Sequence, residues 1–169
     1  SVEQWGTGAW TNMNEAFYGA SNMVLNATDA PDLSNVTSLN HTFHSNTSLI
    51  SNAAMNTWDT STITSFYRTF NGAASFNQDL SNWDTSNVTT MFEMFAGANA
   101  FNGDISTWDT GNVASFSRMF AGANTFNQDI GGWDTRSATA MNSMFQGAAT
   151  FNQDISGWET GNVTNMNSM

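Results

Sequence analysis

Between Asn87 and Gly97 the chain reads "NVTTMFEMFAG", and its polar and apolar residues fall into a period. Val88, Met91, Met94, Phe95 and Ala98 lie at offsets 0, 3, 6, 7 and 10. That spacing predicts a single buried stripe on a short helix. The stripe returns as Val113, Phe116, Met119, Phe120 and Ala123, then as Ala138, Met141, Met144, Phe145 and Ala148. Glycine closes each predicted helix at a fixed place, Gly19, Gly72, Gly97, Gly122 and Gly147, as a left-handed C-cap requires. The start is marked by "DTSN" or "DTGN", residue types that accept hydrogen bonds from free helical N–H groups. After the glycine the pattern changes. The stretch "ANAFNGDISTW" predicts a short strand near Asp-Ile-Ser and then a turn that carries tryptophan.

The two patterns alternate with a period of 25 residues. "FNQDLSNWDT" at 76–85 recurs as "FNGDISTWDT" at 101–110, "FNQDIGGWDT" at 126–135 and "FNQDISGWET" at 151–160. The clearest marker is the column Trp58, Trp83, Trp108, Trp133 and Trp158. Extended backwards, the register puts Trp5 in the same slot and Pro31 in the slot between, with longer first intervals of 26 and 27 residues. A period of this length is the mark of a stacked array. The predicted fold is therefore an α/β solenoid of about seven turns, each a short strand plus a short helix, with parallel strands stacked at roughly 4.8 Å. Residues 1–54 are read as degenerate N-terminal turns with a capping role, and 55–169 as regular repeats, truncated at the C-terminal end, of one continuous domain. The final "GNVTNMNSM" stops where a repeat would read on to phenylalanine, so a monomeric segment of a longer array is expected.

Charge narrows the partners. The chain has 169 residues, 14 Asp and Glu against three arginines (Arg68, Arg118, Arg136), no lysine and a net charge of −11. No basic footprint exists for nucleic acid, and an anionic membrane surface would repel the chain. No apolar run is long enough to span a bilayer. Cysteine is absent, which excludes disulfides, thiol chemistry and Cys-ligated zinc.

The unit that these copies share resembles the BspA-like leucine-rich-repeat family of bacterial surface proteins, in its 25–26-residue variant. The resemblance is close over 55–169 and loose over 5–54. It implies a leucine-rich-repeat-like solenoid, a secreted or cell-surface location, and adhesion or protein binding. It implies no catalytic residues. The chain departs from the pattern by two extra residues around 49–55 and by Pro31 in a tryptophan slot.

Several columns carry chemistry. The tryptophans would either grip sugars, if exposed, or form a core ladder, and their apolar Ile or Leu neighbours favour the core. Asp79, Asp104, Asp129 and Asp154 form one acidic column, and Asp59, Asp84, Asp109, Asp134 and Glu159 a second. Stacked carboxylates repel, so either calcium bridges the first column or each Asp accepts a turn N–H. Calcium is the one cofactor considered. Asn77, Asn102, Asn127 and Asn152 can stitch one turn to the next. Thr60, Thr85, Thr110, Thr135 and Thr160 would suit an ice lattice if they lay on a flat face, but the acidic residue before each, Asp in the first four, points to capping. His41 and His44 have a spacing that suits a metal pair, with no third ligand evident, and are read as surface residues. No His recurs beside a Ser and every group is copied, so no enzyme is expected.

The outer positions that vary between copies are different. Tyr67, Arg68, Phe92, Glu93 and Arg118 are the candidate binding residues, because an exposed aromatic patch marks an interaction site. The expected function is an extracellular bacterial binding or adhesion module for a protein or glycan on another cell or matrix. The alternatives are a spacer in a larger adhesin and, more distantly, ice binding.

Overall fold

The computed structural model describes all 169 residues, Ser1–Met169. The 25-residue copies are stacked rungs, and each core residue meets its counterpart one rung along. Phe70, Phe95, Phe120 and Phe145 stack in a column at 5.6, 5.8 and 5.8 Å between ring centroids. Phe76, Phe101, Phe126 and Phe151 form a second at 5.9 Å. The columns interleave, Phe95 lying 3.8 Å from Phe101 and Phe120 the same from Phe126. The result is one continuous core from Trp5 to Trp158.

The expected α/β solenoid of stacked strands and helices is not what the chain forms. Its only helix is a five-residue 3₁₀ turn, Ala53–Thr57, and it has no sheet. The stretch predicted as a helix, 87–97, is a run of tight turns. The N–H groups of Met94, Ala96 and Ala98 close turns onto the carbonyls of Met91, Glu93 and Phe95, at 3.1, 3.2 and 3.0 Å. The alternate N–H groups, of Met91, Glu93, Phe95 and Gly97, leave the rung and donate to Ser115, Ser117, Met119 and Ala121 at 2.7–3.0 Å. An α-helix needs every amide for its own i→i−4 ladder. Here half of them bind the neighbouring rung instead. The backbone also turns left-handed at Glu93 (φ 51°) and Gly97 (φ 70°), which a right-handed helix cannot contain. Gly97 is thus the second left-handed position of a turn run, not a helix cap. Turns that repeat every four residues bring Val88, Met91, Met94, Phe95 and Ala98 to the inside, all fully buried, much as a 3.6-residue period would.

The predicted strand near Asp104–Ser106 is absent too. The Trp108 N–H closes a turn onto the Ile105 carbonyl at 3.3 Å. Parallel pairing occurs elsewhere, as bridges one residue wide that link Ser38, Ser65, Thr90, Ser115, Ala140 and Asn165. The tight-turn run starts at the next residue, so the bridge never widens into a strand.

Side chains add further ladders. The indole N–H groups of Trp83, Trp108, Trp133 and Trp158 donate back to the carbonyls of Met55, Leu80, Ile105 and Ile130, at 2.7–3.2 Å. The hydroxyls of Thr60, Thr85, Thr110 and Thr135 donate forward to the carbonyls of Asp84, Asp109, Asp134 and Glu159, at 2.8–3.0 Å. Asn77, Asn102 and Asn127 each accept, through the side-chain oxygen, the N–H of the next asparagine in the column at 2.7–2.9 Å. Each such bond contributes about 1 kcal/mol net, and more where its groups are buried. At the N-terminal end, Trp5 meets Trp58 edge-on at 5.2 Å, across the rung where Pro31 supplies no ring.

Stability should therefore be greatest mid-rod. Phe95→Ala removes a fully buried ring with neighbours on both sides, at a cost of about 3–5 kcal/mol. Phe145→Ala, at a half-buried ring near the end, should cost clearly less. Urea unfolding of both variants checks this, and equal losses would contradict stacking as the main source of stability.

Candidate functional site

Each turn run has two left-handed positions four residues apart, and the first of them forms a column on the outer side. The column runs Glu15, His41, Arg68, Glu93, Arg118 and Ser143, with φ between 51° and 57°. None is glycine, although left-handed backbone costs a residue with a Cβ about 1–2 kcal/mol. Beside it runs a second column, Asn14, Asn40, Tyr67, Phe92, Ser117 and Asn142. Its asparagines serve the stack. The Asn14 side-chain oxygen accepts the Asn40 N–H, and the Asn40 oxygen accepts the Tyr67 N–H, both at 3.1 Å. At Tyr67 and Phe92 the amide is replaced by aromatic rings, which stack at 5.0 Å and 8°.

The charged residues close around this pair. The Arg68 guanidinium lies 5.3 Å from the Tyr67 ring centre and 5.6 Å from that of Phe92. Its Nε donates to Glu93 Oε2 at 2.7 Å, while Arg118 Nε donates to Glu93 Oε1 at 2.8 Å. Asn71 Nδ2 adds a bond to Oε2 at 2.9 Å. The Glu93 side chain is only 11% exposed, against 32% and 46% for the arginines, so the two cations enclose the carboxylate. All five predicted binding residues thus meet in one patch. Its net charge is +1 on a chain of −11, because two of the three arginines share one glutamate.

The patch extends to residues that sequence reasoning did not include. His41 packs on Tyr67 at 5.3 Å, and Tyr18 packs on His44 at 4.7 Å. The imidazoles of His41 and His44 lie nearly parallel, with Nδ1 atoms 2.7 Å apart. One ring donates and the other accepts. Both pKa values are lowered, first by burial, then by the Arg68 charge at His41 and by the His41 charge at His44. The signal for these residues was register. His41 occupies the Arg68 slot, and Tyr18 and His44 share the Asn71 slot.

The other columns face different tasks. Asp79, Asp104, Asp129 and Asp154 do not converge. Each accepts the N–H two residues on, at 2.8–3.0 Å. For Asp104 and Asp154 that backbone bond holds the carboxyl below its ordinary range. Asp59, Asp84, Asp109 and Asp134 make the same turn, and the Arg136 bond to Asp134 pulls that pKa to about 2. No group of three or more His, Asp or Glu side chains is placed to hold a metal ion. The column tryptophans Trp58, Trp83, Trp108, Trp133 and Trp158 are buried in the core, so no sugar reaches their faces. Thr60, Thr85, Thr110 and Thr135 are buried in the between-rung ladder, so their hydroxyls offer nothing to an ice surface. No helix is long and apolar enough to cross a membrane.

A family described as "Mycoplasma protein of unknown function, DUF285" matches residues 11–129 and 99–169. The chain belongs to DUF285. No curated protein and no solved structure matches it. The family description assigns no activity, so the chemistry of this DUF285 chain must be argued from the patch itself.

Glu93→Gln should cost about 2 kcal/mol, since two arginines and Asn71 lose a shared, largely buried carboxylate. Chemical denaturation would show it, and a loss below a few tenths would mean that the pairs are solvent-screened. Stability should also fall with acid. The histidines are faced by Glu15, Tyr18, Tyr67, Arg68 and Glu93, and their folded pKa values lie below 6.5. The unfolded chain then takes up protons first, so stability is complete above about 6.5 and declines as pH drops toward the folded values. Between pH 7.5 and 5.5 a His41→Gln, His44→Gln chain should show a flatter profile of urea midpoints.

Proposed function

We propose that this protein is an extracellular bacterial binding module that recognises a protein or glycan partner through the Tyr67–Phe92–Arg68–Glu93–Arg118 patch. One observation carries the reading. Tyr67 and Phe92 stand where Asn14, Asn40 and Asn142 stand in other rungs. The stack tolerates asparagine there, so it does not require the aromatics. Large aromatic and arginine side chains dominate the energetics of recognition surfaces. The location rests on the resemblance of the repeat to BspA-like surface proteins. Between the two partner classes the geometry favours protein. Tyr67 and Phe92 are half-buried; Tyr67 is flanked by Phe92 and His41, and the Arg68 guanidinium lies beside both rings, so a partner meets chiefly ring edges and a guanidinium at Tyr67. A sugar would need an open ring face.

The competing reading is a spacer, which the regular copying of rungs 55–169 favours. The two separate in one experiment. The chain is screened against host-surface proteins and a glycan array, beside a Tyr67→Asn, Phe92→Asn variant that restores the asparagine column. Binding should weaken by about 2 kcal/mol or more, roughly thirtyfold, with the unfolding midpoint little changed. A partner that binds both chains equally would remove the patch from the site. An empty screen would leave the spacer.

A further inference from the structure

The His41–His44 pair needs an explanation that neither the rung nor the proposed binding patch supplies. We infer that His41 and His44 are the two protein ligands of a surface site for a divalent transition-metal ion that prefers imidazole, Cu²⁺ foremost, with water in the remaining positions.

Geometry carries the inference. The two Nδ1 atoms lie 2.7 Å apart on rings inclined by 8°. Two nitrogens about 2.0 Å from one ion stand about 2.8 Å apart when they are cis in a square-planar or octahedral shell, and about 3.3 Å apart in a tetrahedron. The pair therefore has the separation of cis ligands on Cu²⁺, whose tetragonal shell and high affinity for nitrogen suit it. Tetrahedral Zn²⁺ would need the rings to open by about half an ångström. The ion takes the place of the shared hydrogen. The donor ring moves its proton from Nδ1 to Nε2, both rings turn so that their lone pairs meet, and the protein charge is unchanged.

The surroundings agree. The left-handed backbone at His41 (φ 54°) and the turn from His41 to His44 bring both rings to the outer side, where they are half-buried between Tyr18 and Tyr67. The Nδ1–Nδ1 hydrogen bond requires a neutral imidazole as its acceptor, and the neutral ring is the ligating form. Arg68 is the one cation nearby and opposes an added ion, and the Glu93 carboxylate that pairs with it acts in the other direction. Glu15 stands one rung away in the same column as His41, its N–H bonded to the Asn40 carbonyl at 3.0 Å. Its carboxylate adds a field that favours a cation. With two protein ligands the ion is exchangeable, which is consistent with the lack of any three-residue cluster.

The test is clean because the chain has two histidines and no cysteine, so every imidazole-bound ion reports on this site. Cu²⁺ is titrated into the full chain at pH 7.5 and followed by electron paramagnetic resonance. One equivalent should bind with couplings to two imidazole nitrogens. His41→Gln and His44→Gln should each abolish the two-nitrogen signal and weaken binding at least tenfold. Zn²⁺ followed by ¹H–¹⁵N spectra of the imidazoles gives a readout that needs no variant, with both rings expected to shift together. A wild-type signal from fewer than two nitrogens, affinity unchanged in either variant, or a zinc shift confined to one ring would overturn the site and leave a hydrogen-bonded pair.

Discussion

Every rung is held to the next by amides that point along the rod. In a helix the N–H groups point along the element's own axis, and in a strand they alternate sideways. In this chain the turn run from Met91 to Ala98 divides them, with alternate groups closing turns and the rest crossing to the next rung. The division satisfies the backbone without helix or sheet. It also makes a rung incomplete alone, because its crossing amides have no partner until a neighbour is present. Buried amides left unpaired are costly, so the local fold and the stacking form together.

Register follows from that constraint. Once Met91, Glu93 and Phe95 donate to Ser115, Ser117 and Met119, each side chain lies over its counterpart. Copies of one residue must then tolerate themselves as neighbours. Phenylalanine does so by stacking, asparagine by offering an acceptor to the next backbone, and threonine by donating forward. Aspartate has no such self-complementary bond. In both acidic columns it turns to its own rung instead, accepting the N–H two residues on. The acidic columns thus need no bridging ion to explain them. At the outer left-handed column the charges alternate instead, and Glu93 between Arg68 and Arg118 turns self-repulsion into attraction.

The repeat and its register were legible because they depend on spacing alone. The left-handed positions Glu15, His41, Arg68 and Glu93 follow at intervals of 26, 27 and 25 residues, the same as Trp5, Pro31, Trp58 and Trp83. The local structure was misread for a definite reason. Over eleven residues a turn run that repeats every four positions buries nearly the same set as a helix with 3.6, so Val88, Met91, Met94, Phe95 and Ala98 do not separate them. The discriminating feature is the left-handed backbone at Arg68, Glu93, Arg118 and Ser143, and none of these residue types announces it. Gly97 did, but one glycine after an apolar stripe reads as a helix cap. In the site, Tyr67, Arg68, Phe92, Glu93 and Arg118 stood out because they differ between otherwise identical copies. His41 and His44 stood in an irregular rung, where departure from the repeat looked like decay.

That contrast bears on how such an array acquires function. Duplication copies whatever the stack needs, so conserved columns record packing and hydrogen bonding. A site arises where one rung departs from its neighbours without disturbing the crossing amides, and the outer side is where departures are free. Replacement of asparagine by Tyr67 and Phe92 keeps both backbones in register, since the Phe92 N–H donates instead to the Thr90 hydroxyl oxygen at 3.3 Å. The irregular second rung brings His41 against Tyr67 on the same outer side. The non-repeating aromatics, the paired arginines and the histidines are therefore contiguous because stacking in register carries any two departures at one outer position into contact.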